Sequence, residues 1–332
     1  MVLFWVFVLA ISILLYVLLD GFDLGVGILF GLARDESQRR TMMGAVSPGW
    51  DANETWLVAA AVVLWGAFPK AYAVLLSAFY LPVLLMVTAL IARGVAFEFR
   101  KEAHRTRWLW TASFAAGSLV ATFMQGVMIG ALVEGLHFVN GSYQGGVLGW
   151  LSPFALLCGV GLCVGYALLG ACWLVLKTEG DVRDFAYRFI PPLAFALLGF
   201  LIAVFAYALV EDLPVLGRWL ARPYLFIFPV IGAAAAIVLA TSVRRRRDRP
   251  PFFMAELTFA AGFATFAISF WPYMIPFEIT AEQAASPHAS LAFMFWGAGL
   301  FVFPMMLLYT KTGLRVFSGK MVSSEGQYEG AE

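Results

Sequence analysis

Nine apolar runs of about twenty residues recur along this chain, and they restrict its fold more than any other feature. They cover roughly 2–33, 46–68, 71–97, 110–134, 152–176, 189–210, 223–243, 252–272 and 289–311. Each is long enough to cross a hydrocarbon core about 30 Å thick. Composition agrees, with 62% hydrophobic and 13% charged residues where a soluble domain carries about 25% charged. The connections are too short to hold a soluble domain. The expectation is an all-α integral membrane protein with about nine transmembrane helices, one transmembrane domain over 1–320. Its first half is about 1–135 and its second about 150–312. The segment 321–332, rich in Ser, Glu and Gly, reads as a disordered cytoplasmic tail. The first run starts apolar at once, with no charged leader or small-residue cleavage site, so it reads as a retained span.

Basic residues then set the sidedness. One alternating set of connections carries Arg34, Arg39 and Arg40; Arg100, Lys101, Arg105 and Arg107; Lys177, Arg183 and Arg188; Arg244–Arg247 and Arg249; and Lys311, Arg315 and Lys320. The other set carries only Lys70, Arg218 and Arg222. Eighteen against three, with Arg93 left inside a span, is the asymmetry of cytoplasmic versus external loops. The N-terminus is expected outside and the C-terminus in the cytoplasm. The four-arginine run at 244–247 abuts an apolar span, so it reads as a topology signal against anionic headgroups rather than a nucleic-acid site.

Charges inside hydrocarbon cost several kcal/mol unless paired or hydrated, so each is a functional candidate. Asp20 and Asp23 stand three apart and share a helix face in the first run. Gly21, Gly25, Gly27 and Gly31 give that helix small-xxx-small spacing, which lets another helix approach closely. Asp51 and Glu54, again three apart, open the second run between Trp50 and Trp56. A helix-capping role is the plain alternative, better suited to Asp51 than to Glu54. Arg93 and Glu98 lie in the third run. The economical reading is one buried polar cluster in the cytoplasmic half, with Arg93 offsetting one of Asp20, Asp23, Asp51 or Glu54. Spaced carboxylates of this kind suit a proton path; a static ion-pair cluster is the alternative. This intramembrane charge is concentrated in the first three runs. Cys158, Cys163 and Cys172 share one apolar run without metal-ligand spacing and read as packing residues, so no metal site is expected. His104, His137 and His288 fall at run ends or in loops, so no histidine pair is placed to ligate haem within the bilayer.

The strings LDGFDLGVG, SPGWDANETWLV, AFPKAYAVLLSAFYLP and LIARGVAFEFR resemble the first half of subunit II of the cytochrome bd quinol oxidases. The stretch SFWPYMIPFEITAEQAASPHASLAFMFWGAGLFVFPMMLLYTKTG is similar to the C-terminal region of that family's cyanide-insensitive branch. The middle, about 110–250, matches in hydropathy alone. Ala52 stands where the family commonly has glycine. The resemblance implies two four-helix bundles plus one peripheral helix in a bacterial cytoplasmic membrane. It also implies a heterodimer with a homologous subunit I that carries two b-type haems and one d-type haem, and in some members a small single-span subunit. The complex would oxidise quinol and reduce dioxygen to water with cytoplasmic protons, and this chain would hold no redox centre of its own. It implies that Asp20, Asp23 and Asp51 serve proton supply, with Trp56, and Trp50 beside it, at the mouth of an oxygen route. A structural quinone is bound by some members, though no residue here is marked out to hold one. A proton-coupled secondary transporter is the reading from another class; such folds usually interrupt spans in both halves with Gly or Pro.

Overall fold

The computed structural model describes residues 1–139, 142–210, 214–317 and 319–321. The tail expected beyond Met321 lies outside the described residues. The chain begins with α1 (Val2–Phe30) and a short amphipathic α2 (Glu36–Val46). Then follow α3 (Trp50–Ala67), α4 (Pro69–Ala78), α5 (Tyr80–Glu102) and α6 (Arg107–Glu134). A hairpin of β1 (Phe138–Val139) and β2 (Ser142–Tyr143) leads to α7 (Pro153–Lys177) and α8 (Gly180–Val210). Next come α9 (Pro214–Ala221), a 3₁₀ turn at Pro223–Phe226, α10 (Ile227–Arg244) and α11 (Arg249–Phe270). A bulged antiparallel hairpin, β3 (Tyr273–Ile275) and β4 (Ile279–Thr280), precedes α12 (Ala281–Ala284) and α13 (His288–Met294). A π-helical turn at Phe295–Gly299 joins α13 to α14 (Val302–Val316).

Eight helices or helix pairs are long and apolar enough to cross a membrane, and nine if the bent pair α3–α4 counts as one span. The chain is therefore an all-α integral membrane protein, as expected. Two boundaries differ from the sequence reading. The run 46–68 starts only at Trp50, because Asp35 caps a separate α2 by accepting from the Gln38 N–H at 2.8 Å. The run 71–97 is not one helix: α4 turns 119° from α3 at Phe68–Pro69, and a further break at Phe79 starts α5. Proline has no N–H to donate and fits the first turn of a helix, which makes Pro69 a start and not a continuation. Hydropathy is blind to such a break because both sides of it are apolar.

Among the described residues, α1, α3, α5 and α6 pack together, and α7, α8, α10 and α11 form a second group joined to the first through α7 against α1 and α6. The segment α13–α14 lies outside both, against α3 and the start of α1, where Trp5 donates its indole N–H to Leu291 O at 3.1 Å. Glycine sets the seam between the groups. A Cβ at Gly25 would lie 1.7 Å from the Tyr166 carbonyl oxygen, and one at Gly27 2.0 Å from Ser118 Oγ. So α1 meets α7 backbone to backbone at Gly25, as the small-residue spacing predicts, while Gly27 leaves room for the Ser118 side chain of α6 within the first group.

The basic connections gather on one face. Arg100 holds Glu36 through both carboxylate oxygens at 2.9 and 2.7 Å, tying the α5 end to α2. Asp248 accepts from Arg183, Tyr187 and Lys320, tying three further connections together. Burial works against the Asp248 charge, but hydrogen bonds from Arg183, Lys320 and Tyr187 outweigh it and hold its carboxyl below the usual range. The Met321 N–H donates to Lys177 O at 2.7 Å, so residues 319–321 form a strap across this face. Met321 also lines a cleft of about 450 Å³ with Glu36, Arg40, Ser47, Pro48 and Arg107. Six of the seven ion pairs among the described residues lie on this face. The seventh is buried.

Candidate functional site: a buried carboxyl cluster

The buried pair joins Arg93 Nη2 to Asp20 Oδ1 at 2.8 Å, with both side chains fully buried. Gly117 allows it. A Cβ there would stand 2.6 Å from Ala89 O and 3.2 Å from Arg93 Cβ, so only glycine lets α6 cross α5 beside the arginine. One turn along α1, Asp23 accepts through Oδ2 from the Asn53 amide at 2.8 Å. Asn53 also reaches Leu19 O at 3.5 Å, pinning α3 to α1. Glu54 follows Asn53 on α3, half-buried, and Asp51 stands exposed in the first turn. Asp51 does not cap α3, whose N-cap is Gly49; its carboxylate accepts from the Ala52 N–H at 2.8 Å.

Arg93 is within electrostatic reach of Asp20, Asp23 and Glu54 together. One buried cation therefore faces three carboxyls. Asp20 Oδ2, Asp23 Oδ1, Glu54 Oε2, Arg93 Nε and Arg93 Nη1 are buried and have no hydrogen-bond partner among the described residues. Buried polar groups are hydrogen-bonded in almost all proteins, so these atoms keep hydrogen-bonding capacity that the described residues do not use.

The structure thus brings Asp20, Asp23, Glu54 and Arg93 together and puts Asp51 at the outer edge. It leaves out Glu98. That residue is exposed, with no ion-pair or hydrogen-bond partner among the described residues. Five residues beyond Arg93, it points about 140° away round the helix, so it cannot share the arginine's environment. Trp50 stacks on Phe97 with ring centroids 4.8 Å apart, beside Gly94. Trp56 is buried against the last span, where its indole N–H donates to Thr310 at 3.1 Å and its ring meets Phe303 edge-on.

Several partners were not legible beforehand. Gln125 donates to the Tyr16 hydroxyl at 2.8 Å and accepts from Tyr166 at 3.4 Å, a polar thread between α1, α6 and α7. Glu256 on α11 is a further intramembrane carboxyl, with Oε1 buried. It is an addition to a charge set otherwise concentrated in the first three runs; a lone Glu in the run 252–272 was the available signal.

A haem does not fit this chain's own histidines. His104, His137 and His288 stand exposed in separate connections or at a helix start, and no two face one another. No group of three or more His, Cys, Asp or Glu suited to a metal occurs among the described residues. The cysteines are free and buried.

Fold and cluster together define a polytopic helical membrane protein with a buried cluster of carboxyls around one arginine. Residues 1–317 match the family model for cytochrome bd terminal oxidase subunit II. The chain is 31% identical to a probable cytochrome oxidase subunit 2 of Haemophilus influenzae, over 84% of this chain and 82% of the relative. It is 30% identical to cytochrome bd-I ubiquinol oxidase subunit 2 of Escherichia coli K12, over 92% and 91%. A bd oxidase structure from Geobacillus thermodenitrificans shares the fold at TM-score 0.77 and 17% identity, covering 95% of this chain and 98% of that one. The chain belongs to the cytochrome bd terminal oxidase subunit II family. It is accordingly a multi-pass membrane subunit of a quinol oxidase complex that reduces dioxygen, and it works beside a subunit I that carries the haem.

Proposed function

We propose that this chain is the haem-free second subunit of that oxidase in a bacterial cytoplasmic membrane, with its basic face in the cytoplasm. Its work is to complete the assembly, to supply protons from the cytoplasm and to give dioxygen access to the haem d site of subunit I. The observation that carries the proton role is that the one buried guanidinium contacts Asp20 alone, while Asp23 and Glu54 each keep a buried carboxyl oxygen with no partner among the described residues. Arg93 can neutralise one of them; the others avoid the cost of an uncompensated buried charge by binding protons. Exposure falls in order from Asp51 through Glu54 to Asp23, along α3 and across to α1. That order suits a path inward from the cytoplasm, with Asp20 as the fixed counter-ion of Arg93. Trp56 is the proposed gate of the oxygen route, flanked by the apolar residues of the last span. Quinol, lipid, subunit I and in some assemblies a small single-span subunit are the partners this reading calls for; any bound quinone would be structural.

The test is turnover of the purified complex. Asp23→Asn and Glu54→Gln keep size and hydrogen bonding but cannot titrate. Both variants should assemble with unchanged haem spectra and turn over more slowly, increasingly so as the pH rises and protons become scarce. Full activity at every pH in both, and in the double variant, sinks the proton role.

A further inference from the structure

The carboxyl of Glu256 has no place in the path just described. It lies on α11, in the second helix group, seven residues or about 10 Å from the basic face. Its Oε1 is buried without a hydrogen-bond partner, and it belongs to none of the ion pairs among the described residues. The nearest basic residue along its helix is Arg249, in the first turn. Three residues beyond Glu256 on α11, Phe259 meets the ring of Tyr166 on α7 at 5.7 Å between centroids. Among the described residues, no charged group of α1, α8 or α10 forms an ion pair with it.

Tyr166 is the point of contact with the first group. Its ring packs against Gly21, the neighbour of Asp20, and its hydroxyl donates to Gln125, which in turn donates to Tyr16. Asp20 and Glu256 therefore belong to different helix groups, and Tyr166 touches the helix of each. An intramembrane carboxyl with no cation cannot stay charged without the full cost of burial. Asp20 escapes that cost through Arg93; Glu256 has no such partner and escapes it by carrying a proton.

We propose that Glu256 is a second proton-holding site of the oxidase, filled from the cytoplasmic end of the second helix group, with Tyr166 packed between its helix and the helix of Asp20. The step needs one proton alone: the carboxylate gains it on uptake and loses it on release. The proposal rests on the proton-supply reading above and adds to it a site in the other half of the molecule.

The experiment is infrared difference spectroscopy between the oxidised and reduced whole complex, with steady-state turnover measured across pH. In Glu256→Gln one carboxylic-acid C=O band should vanish, the haem spectra should stay, and turnover should fall several-fold at alkaline pH. Glu256→Asp, which keeps an acid one methylene shorter, should retain a shifted band and recover most of the rate. An unchanged set of bands in Glu256→Gln overturns the proposal, and so does a lost band with an unaltered pH profile. Should Glu256→Gln fail to assemble, a Glu256→Asp complex without a redox-sensitive shifted band overturns it equally. The two readings fail separately. A silent Glu256→Gln beside a slowed Asp23→Asn removes this site alone, whereas a slowed Glu256→Gln beside silent Asp23→Asn and Glu54→Gln removes the α3 path alone.

Discussion

Asp20 and Asp23 are three residues apart on one helix, yet the structure assigns them opposite sensitivities to the same substitution. Asp20→Asn keeps an oxygen where Arg93 Nη2 now finds Oδ1 at 2.8 Å, but it removes the one charge in direct contact with a fully buried guanidinium. Breaking a buried ion pair from one side costs about 3–5 kcal/mol, on the order of 10²–10⁴ in the folding or assembly equilibrium. Asp23→Asn is different. Its one hydrogen bond in the structure comes from the neutral amide of Asn53, so an asparagine oxygen can accept it and the loss is about 1 kcal/mol. It also lightens a cluster that already has more carboxyls than cations.

The assay is thermal loss of the haem absorbance of the purified complex, together with its yield. Asp20→Asn should give a poorly assembled complex and Asp23→Asn a nearly normal one. Arg93→Gln placed on Asp20→Asn should restore much of the lost stability, because it removes the stranded cation. Equal stability of the two single variants would refute the assignment. So would a double variant that is weaker than Asp20→Asn alone.

Sidedness is checked by labelling from outside the cell in a chain with Cys158, Cys163 and Cys172 replaced: Gln144→Cys should react and Arg246→Cys should not, and equal reaction refutes the nine-span arrangement. Trp56→Ala should change the rate of oxygen binding to the reduced complex with quinol oxidation in excess oxygen nearly unaltered. Trp56→Phe, which loses the bond to Thr310 but keeps most of the bulk, should not; identical oxygen-binding rates in all three proteins take Trp56 out of the route. Asp248 is held below its ordinary range, so its contribution to the strap at 319–321 is complete above the ordinary value of about 3.9 and is lost as pH falls through the lower folded value. Hydrogen exchange at the Met321 amide should therefore be faster in Asp248→Asn than in the native chain at neutral pH. The two should converge only in acid; equal exchange at neutral pH refutes the strap's dependence on Asp248.

The number of spans and the segregation of basic residues were legible because hydrocarbon thickness and the cost of moving positive charge are read residue by residue along the chain. The close contacts of α1 were legible from Gly25 and Gly27 for a similar reason: a missing side chain advertises an approaching helix. The break at Phe68–Pro69 was hidden, since hydropathy is the same on both sides of it. The choice of Asp20 as the partner of Arg93 was hidden too. Asp20, Asp23 and Glu54 are equivalent in type and similar in depth, and the rotation of α5 against α1, set by Gly117 on a fourth helix, selects among them.

Asn53 and Glu256 mark the two ways a functional position escapes a reading by charge. Asn53 carries none, yet it fixes Asp23 and ties α3 to α1, so the site's geometry hangs on a neutral residue that composition ranks low. Glu256 is charged but solitary, and a search for clusters passes over it. Solitude is what gives it chemical interest. A carboxyl beside a guanidinium can stay ionised throughout a catalytic cycle, whereas a buried carboxyl without one changes charge only together with a proton. In a protein whose complex consumes protons inside a membrane, the acid with no partner is therefore the more informative of the two to mutate.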